Sequence, residues 1–233
     1  MFDVVLPLKA LATAKSRLAD VLTDRQRREL MLAMAQDVIA ALLAWHDCRS
    51  LTVIQGPGWP PVLPTAPNLQ VIREHDLAGS GLNAKLTSGI NALRGEQYAV
   101  VFGDLPGLQV EDLKALSAAF GTGLSVICPD SDSVGTNALA FSAGNMPVFR
   151  FGTGSYREYG SHLPKERCVS LSRPGLGFDV DTPIGLYALL WGSHAGMPLG
   201  PATQNWLLEA RRLGIMSRNP LPVRVQHNTG ALA

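Results

Sequence analysis

Three aspartates stand where apolar runs end, and together they form a candidate metal site. Asp104 follows the run Tyr98–Phe102, and Asp179 and Asp181 alternate within F-D-V-D-T-P. Side chains two residues apart in an extended segment share one face, so the carboxylates of Asp179 and Asp181 repel unless a cation or water compensates. With Asp104 they form an oxygen-rich set that suits one or two Mg²⁺ ions. The alternative is structural: Asp104 caps a turn, and Asp181 or Thr182 caps a helix that begins at Pro183.

Three cations follow the first apolar run of the chain, in P-L-K-A-L-A-T-A-K-S-R-L. Lys9, Lys15 and Arg17 lie within nine residues, in a loop that leads into a helix. A nucleoside triphosphate needs fixed cations and helix-end amides to neutralise its charge, and this loop offers both. The loop is not a Walker A motif, because it lacks G-x-x-x-x-G-K-[ST]. A solvated basic loop is the structural alternative.

Three segments of small residues follow other expected strands. Gly81, Leu82 and Asn83 combine close backbone approach with an amide that can donate to, or accept from, a base or ribose. Gly135–Ala138 and Phe151–Ser155 are turns rich in amide N–H groups, which bind anions such as phosphate. A helix cap at Ser80 or Asn83 and ordinary loop turns elsewhere are the structural alternatives.

Several other chemistries lack their usual signatures. The histidines do not pair at ligand spacing, and neither H-E-x-x-H nor G-x-S-x-G occurs, which disfavours transition-metal catalysis and serine hydrolysis. The cysteines Cys48, Cys128 and Cys168 are odd in number and widely spaced, so they fit neither a disulfide framework nor a C-x-x-C site. We therefore expect reduced thiols in a cytoplasmic protein.

The charge of the chain is balanced overall but uneven along the sequence. The 233 residues include 20 basic and 19 acidic side chains, a net charge of +1, which argues against a general nucleic-acid binder. Residues 9–28, however, hold six basic and two acidic residues, an excess that suits a single triphosphate better than a polymer. No apolar run reaches the ~18 residues of a membrane span, and the N-terminus lacks the cationic region of a signal peptide.

Apolar patterning predicts the elements that must position these residues. Strands are expected at 2–8, 50–55, 69–73, 98–102, 124–128, 138–142 and 176–180. Helices are expected from a cap at Thr23 to Trp45, and at 82–93, 110–120, 183–191 and 202–213. Their alternation predicts an α/β fold, a mostly parallel mixed sheet flanked by helices, with ligands bound outside the carboxyl ends of the strands. Residues 1–217 are interpreted as one domain and 218–233 as a C-terminal tail.

Six motifs occur in the order found in a known family. They are P-L-K-x-L-x-x-A-K-S-R-L, G-L-N, G-D-L-P, G-T-N-A-L, F-G-x-x-S and D-V-D-T-P. Over roughly residues 4–190, the sequence resembles the CofC/FbiD family, whose members are guanylyltransferases of coenzyme F-420 biosynthesis. The resemblance implies a nucleotide-diphospho-sugar transferase-like fold (GT-A type, Rossmann-like).

The resemblance also implies a reaction and a site. GMP would pass from GTP to the phosphate of a small phosphorylated acid (2-phospho-L-lactate, phosphoenolpyruvate or 3-phospho-D-glycerate), with release of pyrophosphate. Mg²⁺ would be held by Asp104, Asp179 and Asp181, and the catalytic residues would be Lys15, Arg17 and Asp104. The nucleotide would contact Lys9, Lys15, Arg17, Gly81, Leu82 and Asn83. The acceptor would contact Thr136, Asn137, Ala138, Gly152 and Ser155.

Two positions depart from the family pattern. Gly103 stands where the family often has alanine before the metal-binding aspartate, and Tyr159 stands where a histidine often follows F-G-x-x-S. The segment around Tyr159 would lie near the acceptor, so the resemblance leaves the identity of the acid open.

Two alternative functions use the same fold. One is a nucleotidyltransferase acting on molybdopterin or a sugar 1-phosphate, although residues 7–10 replace the L-x-G-G-x-S-x-R-x-G-x-x-K loop usual in those families. The other is a non-catalytic GTP-binding paralogue. In either case we expect small-molecule partners, no nucleic acid, no membrane, and a homodimer only on base rates.

Overall fold

A seven-stranded sheet organises the chain in the computed structural model, which describes residues 1–60, 66–121 and 125–215. The strands are β1 (Phe2–Leu8), β2 (Cys48–Gln55), β3 (Leu69–Arg73), β4 (Gln97–Val101), β5 (Ser125–Pro129), β6 (Thr136–Ser142) and β7 (Cys168–Ser170). The helices are α1 (Asp24–Ala44), α2 (Gly81–Asn91), α3 (Val110–Phe120), α4 (Ser155–His162), α5 (Pro174–Gly177), α6 (Pro183–His194) and α7 (Pro201–Arg212).

The order of the strands brings several of their carboxyl ends to one edge of the sheet. The order is β3-β2-β1-β4-β6-β5-β7, and only β6 runs antiparallel to its two neighbours. The loops after β1, β2, β3 and β4 therefore emerge at the same edge, where ligands bind in sheets of this kind. The expected mostly parallel mixed sheet is confirmed.

Two apolar cores cover the two faces of the sheet. All seven residues of β1 are buried, as expected for a strand covered on both sides. Val4 and Leu6 pack in the core that contains the buried faces of α1, α3, α6 and α7. Val5 points the other way, into the core formed with α2 and α4. Helices therefore hold the sheet on both faces, and the loops at the carboxyl ends of its parallel strands are free to form a binding site.

The expected strand at 176–180 is wrong. Pro174 begins the short helix α5 instead, as proline does well at the first helical position. The carbonyl oxygen of Gly177 then accepts hydrogen bonds from the Ser131 backbone and the Asn137 side chain rather than from a strand. On the side away from β6, β5 pairs with β7, a strand that sequence patterning did not identify. Helix α4 was likewise not expected.

The five helices expected from the sequence are present as α1, α2, α3, α6 and α7. Thr23 caps α1 as expected, because its hydroxyl accepts from the Gln26 backbone while the Gln26 side chain accepts from the Thr23 backbone. No helix in the described part of the chain is long and apolar enough to cross a membrane. The expected tail at 218–233 lies outside the described residues.

A buried carboxylate on α1 fixes the start of α7. The two carboxylate oxygens of Asp37 accept hydrogen bonds from the backbone N–H groups of Ala202 and Thr203, at 2.9 and 2.8 Å. Gly200 precedes the helix, and a Cβ there would lie 2.0 Å from the Asp37 carboxyl carbon. A negative charge at a helix N-terminus satisfies otherwise unpaired donors and favours the helix dipole.

Replacing this carboxylate should destabilise the protein. We expect Asp37→Ala to lower the free energy of unfolding by about 2 kcal/mol, because two backbone N–H groups at the start of α7, one of them buried, lose their acceptor. Urea denaturation measures the change, with the exposed Asp20→Ala as the matched control and Asp37→Asn, which keeps one oxygen, in between. A loss below about 0.5 kcal/mol, as at an ordinary surface site, would contradict this role of Asp37.

Candidate active site

The three predicted metal-binding aspartates meet at the edge where the strands end. Asp104 lies three residues beyond β4, and Asp179 and Asp181 lie on the segment between α5 and α6. One carboxylate oxygen from each lies within 4.8 Å of those from the other two. The structure therefore brings together residues that are 75 and more positions apart in the sequence.

A buried lysine compensates the charge of this carboxylate cluster, defined as Asp104, Asp179 and Asp181. Lys15 Nζ lies 2.6 Å from Asp104 Oδ2 and 2.6 Å from Asp181 Oδ1, and its side chain is 3% exposed. Burial alone would lower the pKa of this ammonium, but the two carboxylates outweigh burial and hold the pKa above its ordinary value. Lys15 is therefore positively charged at neutral pH.

The backbone at Lys15 is unusual. Its φ is +54°, in the left-handed region that non-glycine residues seldom adopt. The next turn runs from Ser16 to Leu18, and the fully buried Leu18 anchors it in the core. Strained backbone of this kind persists only where surrounding contacts hold it, and it is common at functional sites. Here the contacts are the Leu18 anchor and the two carboxylates that bind the ammonium.

The three carboxylates differ in how they are compensated. Burial would raise the pKa of Asp181, but Lys15, with smaller contributions from Arg17 and Lys9, holds it below the ordinary value. Asp179 has a pKa raised to about 6, first by burial and then by the charges of Asp104 and Asp181. A hard divalent cation prefers oxygen ligands and favours their charged form, so this cluster fits such an ion.

A cleft joins the carboxylates to the basic loop. It encloses about 250 Å³, and its lining includes Lys9, Lys15, Arg17, Asp104 and Asp181. The sequence-based expectation that the three cations face one ligand site is consistent with this arrangement. The cleft thus offers cations for phosphate oxygens on one side and carboxylates for a metal ion on the other.

Sequence reasoning missed a segment that shapes this cleft. Trp59 lines it, and its indole N–H donates to the Lys9 carbonyl oxygen at 2.7 Å. Gly56 passes so close to the loop after β1 that a Cβ would lie 2.6 Å from the Ala10 nitrogen and 2.9 Å from the Leu8 oxygen. The signal was available, because G-P-G-W directly follows β2 at the ligand-binding edge.

The expected guanosine contacts are only partly placed in a cavity. Leu82 lines a hollow beside Lys9, and Gly81 lines another next to it. The Asn83 side chain instead exchanges two hydrogen bonds with the Phe151 backbone, donating to its oxygen at 3.1 Å and accepting from its nitrogen at 2.9 Å. Asn83 therefore ties α2 to the segment before α4, which uses one donor and one acceptor position of its amide.

The expected acceptor residues lie close to the same edge, at the start of β6 and the start of α4. The backbone carbonyl oxygen of Asn137 accepts a hydrogen bond from the Phe102 backbone nitrogen. Its side-chain amide nitrogen lies 3.5 Å from Asp179 Oδ1. Ala138 is fully buried and pairs with Val101 at the end of β4.

Ser155 and Thr136 were expected to contact the acceptor acid, but their hydroxyls are paired with each other. Ser155 is 1% exposed, and its hydroxyl donates to the Thr136 hydroxyl at 3.1 Å. Gly152, at φ +139°, has open space where a Cβ would stand, so the backbone there is accessible to a ligand. The hydroxyls of Thr136 and Ser155 are thus already paired with each other, and Gly152 is where the backbone of this group is open to a ligand.

Both departures from the family pattern have a local explanation. A Cβ at Gly103 would come within 2.7 Å of the end of the Leu8 side chain, so glycine leaves room for leucine there. Tyr159 is 1% exposed, accepts from the Arg150 backbone at 2.9 Å and packs edge-on against Phe151. Burial raises the pKa of Tyr159, so its hydroxyl stays neutral and acts as a structural support.

Solved structures similar to this one define the class of the fold. A protein from Desulfovibrio desulfuricans G20, named as a nucleotide-diphospho-sugar transferase, matches with a TM-score of 0.71 at 16% identity, over 93% of this chain and 98% of that chain. A 4-diphosphocytidyl-2C-methyl-D-erythritol synthase from Anaerococcus prevotii DSM 20548 matches with a TM-score of 0.52 at 9% identity, over 81% and 94%. The fold is nucleotide-diphospho-sugar transferase-like.

Sequence comparison gives the family. The family model "Guanylyl transferase CofC like" matches residues 2–173. A phosphoenolpyruvate guanylyltransferase from Sphaerobacter thermophilus is 33% identical over 205 residues, covering 85% of this chain and 95% of that protein. One from Rubrobacter xylanophilus is 34% identical over 202 residues, covering 79% and 91%. The chain belongs to the CofC guanylyl transferase family and is a nucleotidyltransferase.

The bridge made by Lys15 predicts how the carboxylate cluster responds to divalent cations. The ammonium offsets part of the negative charge of Asp104 and Asp181 and competes with any cation that approaches them. We expect Lys15→Met to bind Mn²⁺ about 10-fold more tightly than the unmodified protein when no nucleotide is present, because one fixed positive charge is removed. Calorimetric titration measures this affinity, with Lys114→Met, an exposed lysine on α3, as the control. Equal or weaker Mn²⁺ binding by Lys15→Met would contradict the competition.

Proposed function

We propose that this guanylyltransferase transfers GMP from GTP to the phosphate of phosphoenolpyruvate and releases pyrophosphate. The observation that carries the proposal is the carboxylate cluster with its Lys15 bridge, which faces a cleft lined by Lys9 and Arg17. The choice of acid rests on the relatives, which are named phosphoenolpyruvate guanylyltransferases. The family resemblance would place the product in coenzyme F-420 synthesis.

Each group of residues has a role in this proposal. Asp104, Asp179 and Asp181 would hold Mg²⁺, and the distance of no more than 4.8 Å between their oxygens supports that assignment. When bound, Mg²⁺ would neutralise charge on the phosphate oxygens. The triphosphate would contact Lys9, Lys15 and Arg17, with the nucleoside near Gly81 and Leu82. The acceptor would contact the backbone around Thr136, Asn137, Ala138, Gly152 and Ser155.

The proposed reaction asks little of acid–base chemistry. An oxygen of the acceptor phosphate forms a bond to the α-phosphorus of GTP, while the bond from that phosphorus to the α–β bridging oxygen breaks. The acceptor oxygen is already anionic, so no strong general base is needed. The protein contributes orientation and fixed positive charge, which Lys15 and Arg17 supply beside the negative charge that shifts to pyrophosphate.

Loss of a cluster carboxylate should impair catalysis far more than folding. We expect Asp104→Ala or Asp179→Ala to lower kcat/KM for pyrophosphate release by about 10²-fold or more, because the charge arrangement at the transferred phosphorus is lost. The exposed Asp132→Ala is the matched control and should keep the original rate. If Asp104→Ala released pyrophosphate at the original rate, the metal assignment would be wrong.

A panel of donors and acceptors tests the reaction itself. We expect GTP with phosphoenolpyruvate to give the fastest pyrophosphate release, compared with 2-phospho-L-lactate and 3-phospho-D-glycerate. ATP and CTP in place of GTP should be at least about 10-fold slower with the same acid. Faster release with another acid would replace phosphoenolpyruvate as the acceptor. No release with any acid would favour a molybdopterin or sugar 1-phosphate acceptor, or a non-catalytic protein.

A further inference from the structure

A hollow of about 180 Å³ adjoins the basic cleft. The two share one wall, residues 7–9 at the end of β1. The remaining wall of the hollow is mainly apolar and includes Ile54, Leu82 and Leu86. Pockets with an apolar lining and a few polar groups suit planar organic ligands such as a nucleobase. A nucleotide whose phosphates lie in the cleft would therefore have its base within reach of this hollow.

Besides Lys9 in the shared wall, two charged residues line the hollow, and they differ in how many of their hydrogen-bonding groups are still free. Both Glu74 and Lys85 also line the neighbouring hollow that contains Gly81. Lys85 Nζ donates to the Leu77 carbonyl oxygen at 2.5 Å, which leaves two of its three N–H donors. The carboxylate of Glu74 has no hydrogen bond or ion pair with any residue in the described part of the chain, Lys85 included.

The position of Glu74 is set by the fold. It directly follows Arg73, the last residue of β3, in a single turn that spans Glu74–Asp76. The Leu77 backbone nitrogen donates to the Glu74 carbonyl oxygen and closes this turn. Because β3 pairs in parallel with β2, Glu74 stands at the ligand-binding edge. A carboxylate here is half-buried and keeps its hydrogen-bonding capacity for a ligand.

A carboxylate distinguishes guanine from the other bases through hydrogen-bond donors. Guanine carries two adjacent donors, N1–H and the 2-amino group, which match the two acceptor oxygens of a carboxylate. Adenine and cytosine present an acceptor at the corresponding ring nitrogen, which a carboxylate repels. Guanine O6 is an acceptor, and it suits the remaining donors of Lys85. A site built to pair with donors rejects analogues that lack them.

We propose that Glu74 is the specificity-determining residue that selects guanine, with Lys85 as its cationic neighbour. The inference rests on the proposed function, in which the triphosphate lies along Lys9, Lys15 and Arg17. It adds to that function the side chain that reads the base. Inosine triphosphate is the sharpest probe, because it keeps N1–H and O6 and lacks only the 2-amino group.

The test compares GTP with inosine triphosphate in a binding measurement that needs no acceptor. We expect the unmodified protein with Mg²⁺ to bind GTP about 10-fold or more tightly than inosine triphosphate. In Glu74→Ala the ratio should fall to within about 3-fold, mainly because GTP binding weakens. Glu74→Gln, which keeps one acceptor, should lie between. Glu96→Gln, an exposed change at the far end of β4, is the matched control and should keep the original ratio.

The outcomes separate this inference from the proposed reaction. A ratio of GTP to inosine triphosphate binding that is unchanged in Glu74→Ala overturns the role of Glu74. Equal binding of both nucleotides by the unmodified protein overturns it as well. Pyrophosphate release with an acid reports on the reaction independently, so the proposed function can fail while the base selectivity of Glu74 stands, and the reverse also holds.

Discussion

Three carboxylates crowd one edge of the sheet, and their mutual repulsion must be offset for the surrounding loops to take their positions. The ammonium of Lys15 offsets it by binding Asp104 and Asp181 at 2.6 Å. Three separate parts of the chain depend on this contact: the loop after β1, the end of β4 and the segment between α5 and α6. The left-handed backbone at Lys15 is the conformational cost of placing its ammonium where all three parts meet.

The carboxylate cluster could be predicted because the position of each aspartate follows from the pattern of its own segment. A buried parallel strand ends at a known edge, so an aspartate that follows β4 must lie at that edge. Alternation in F-D-V-D-T-P correctly placed Asp179 and Asp181 together, although the same alternation wrongly suggested a strand there. Periodicity shows that a segment is extended, but not whether another strand will supply its hydrogen bonds. Here Gly177 accepts hydrogen bonds from Asn137 and Ser131, and Asp179 is contacted by Asn137 instead of by a strand.

The roles of the polar side chains around the cluster were harder to predict. Asn83 is capable of binding a ribose, but its partner is the Phe151 backbone, 68 residues away in the sequence. Ser155 and Thr136 satisfy each other across 19 residues. Glu74 gave no signal at all, because one glutamate after a short strand is unremarkable until its surroundings are known. Residue type states what a side chain can bind, and the fold decides which groups remain free to do so.

The contact between Asp37 and α7 has a consequence for how the chain is made. The two are separated by 165 residues, so the carboxylate emerges from the ribosome long before its donors. At typical elongation rates the delay is roughly ten to thirty seconds. During that time the Asp37 carboxylate, which is buried in the folded protein, lacks the N–H groups of α7 that later bind it. The Asp37 carboxylate therefore stays hydrated until residues 202 and 203 have been made and α7 packs against α1.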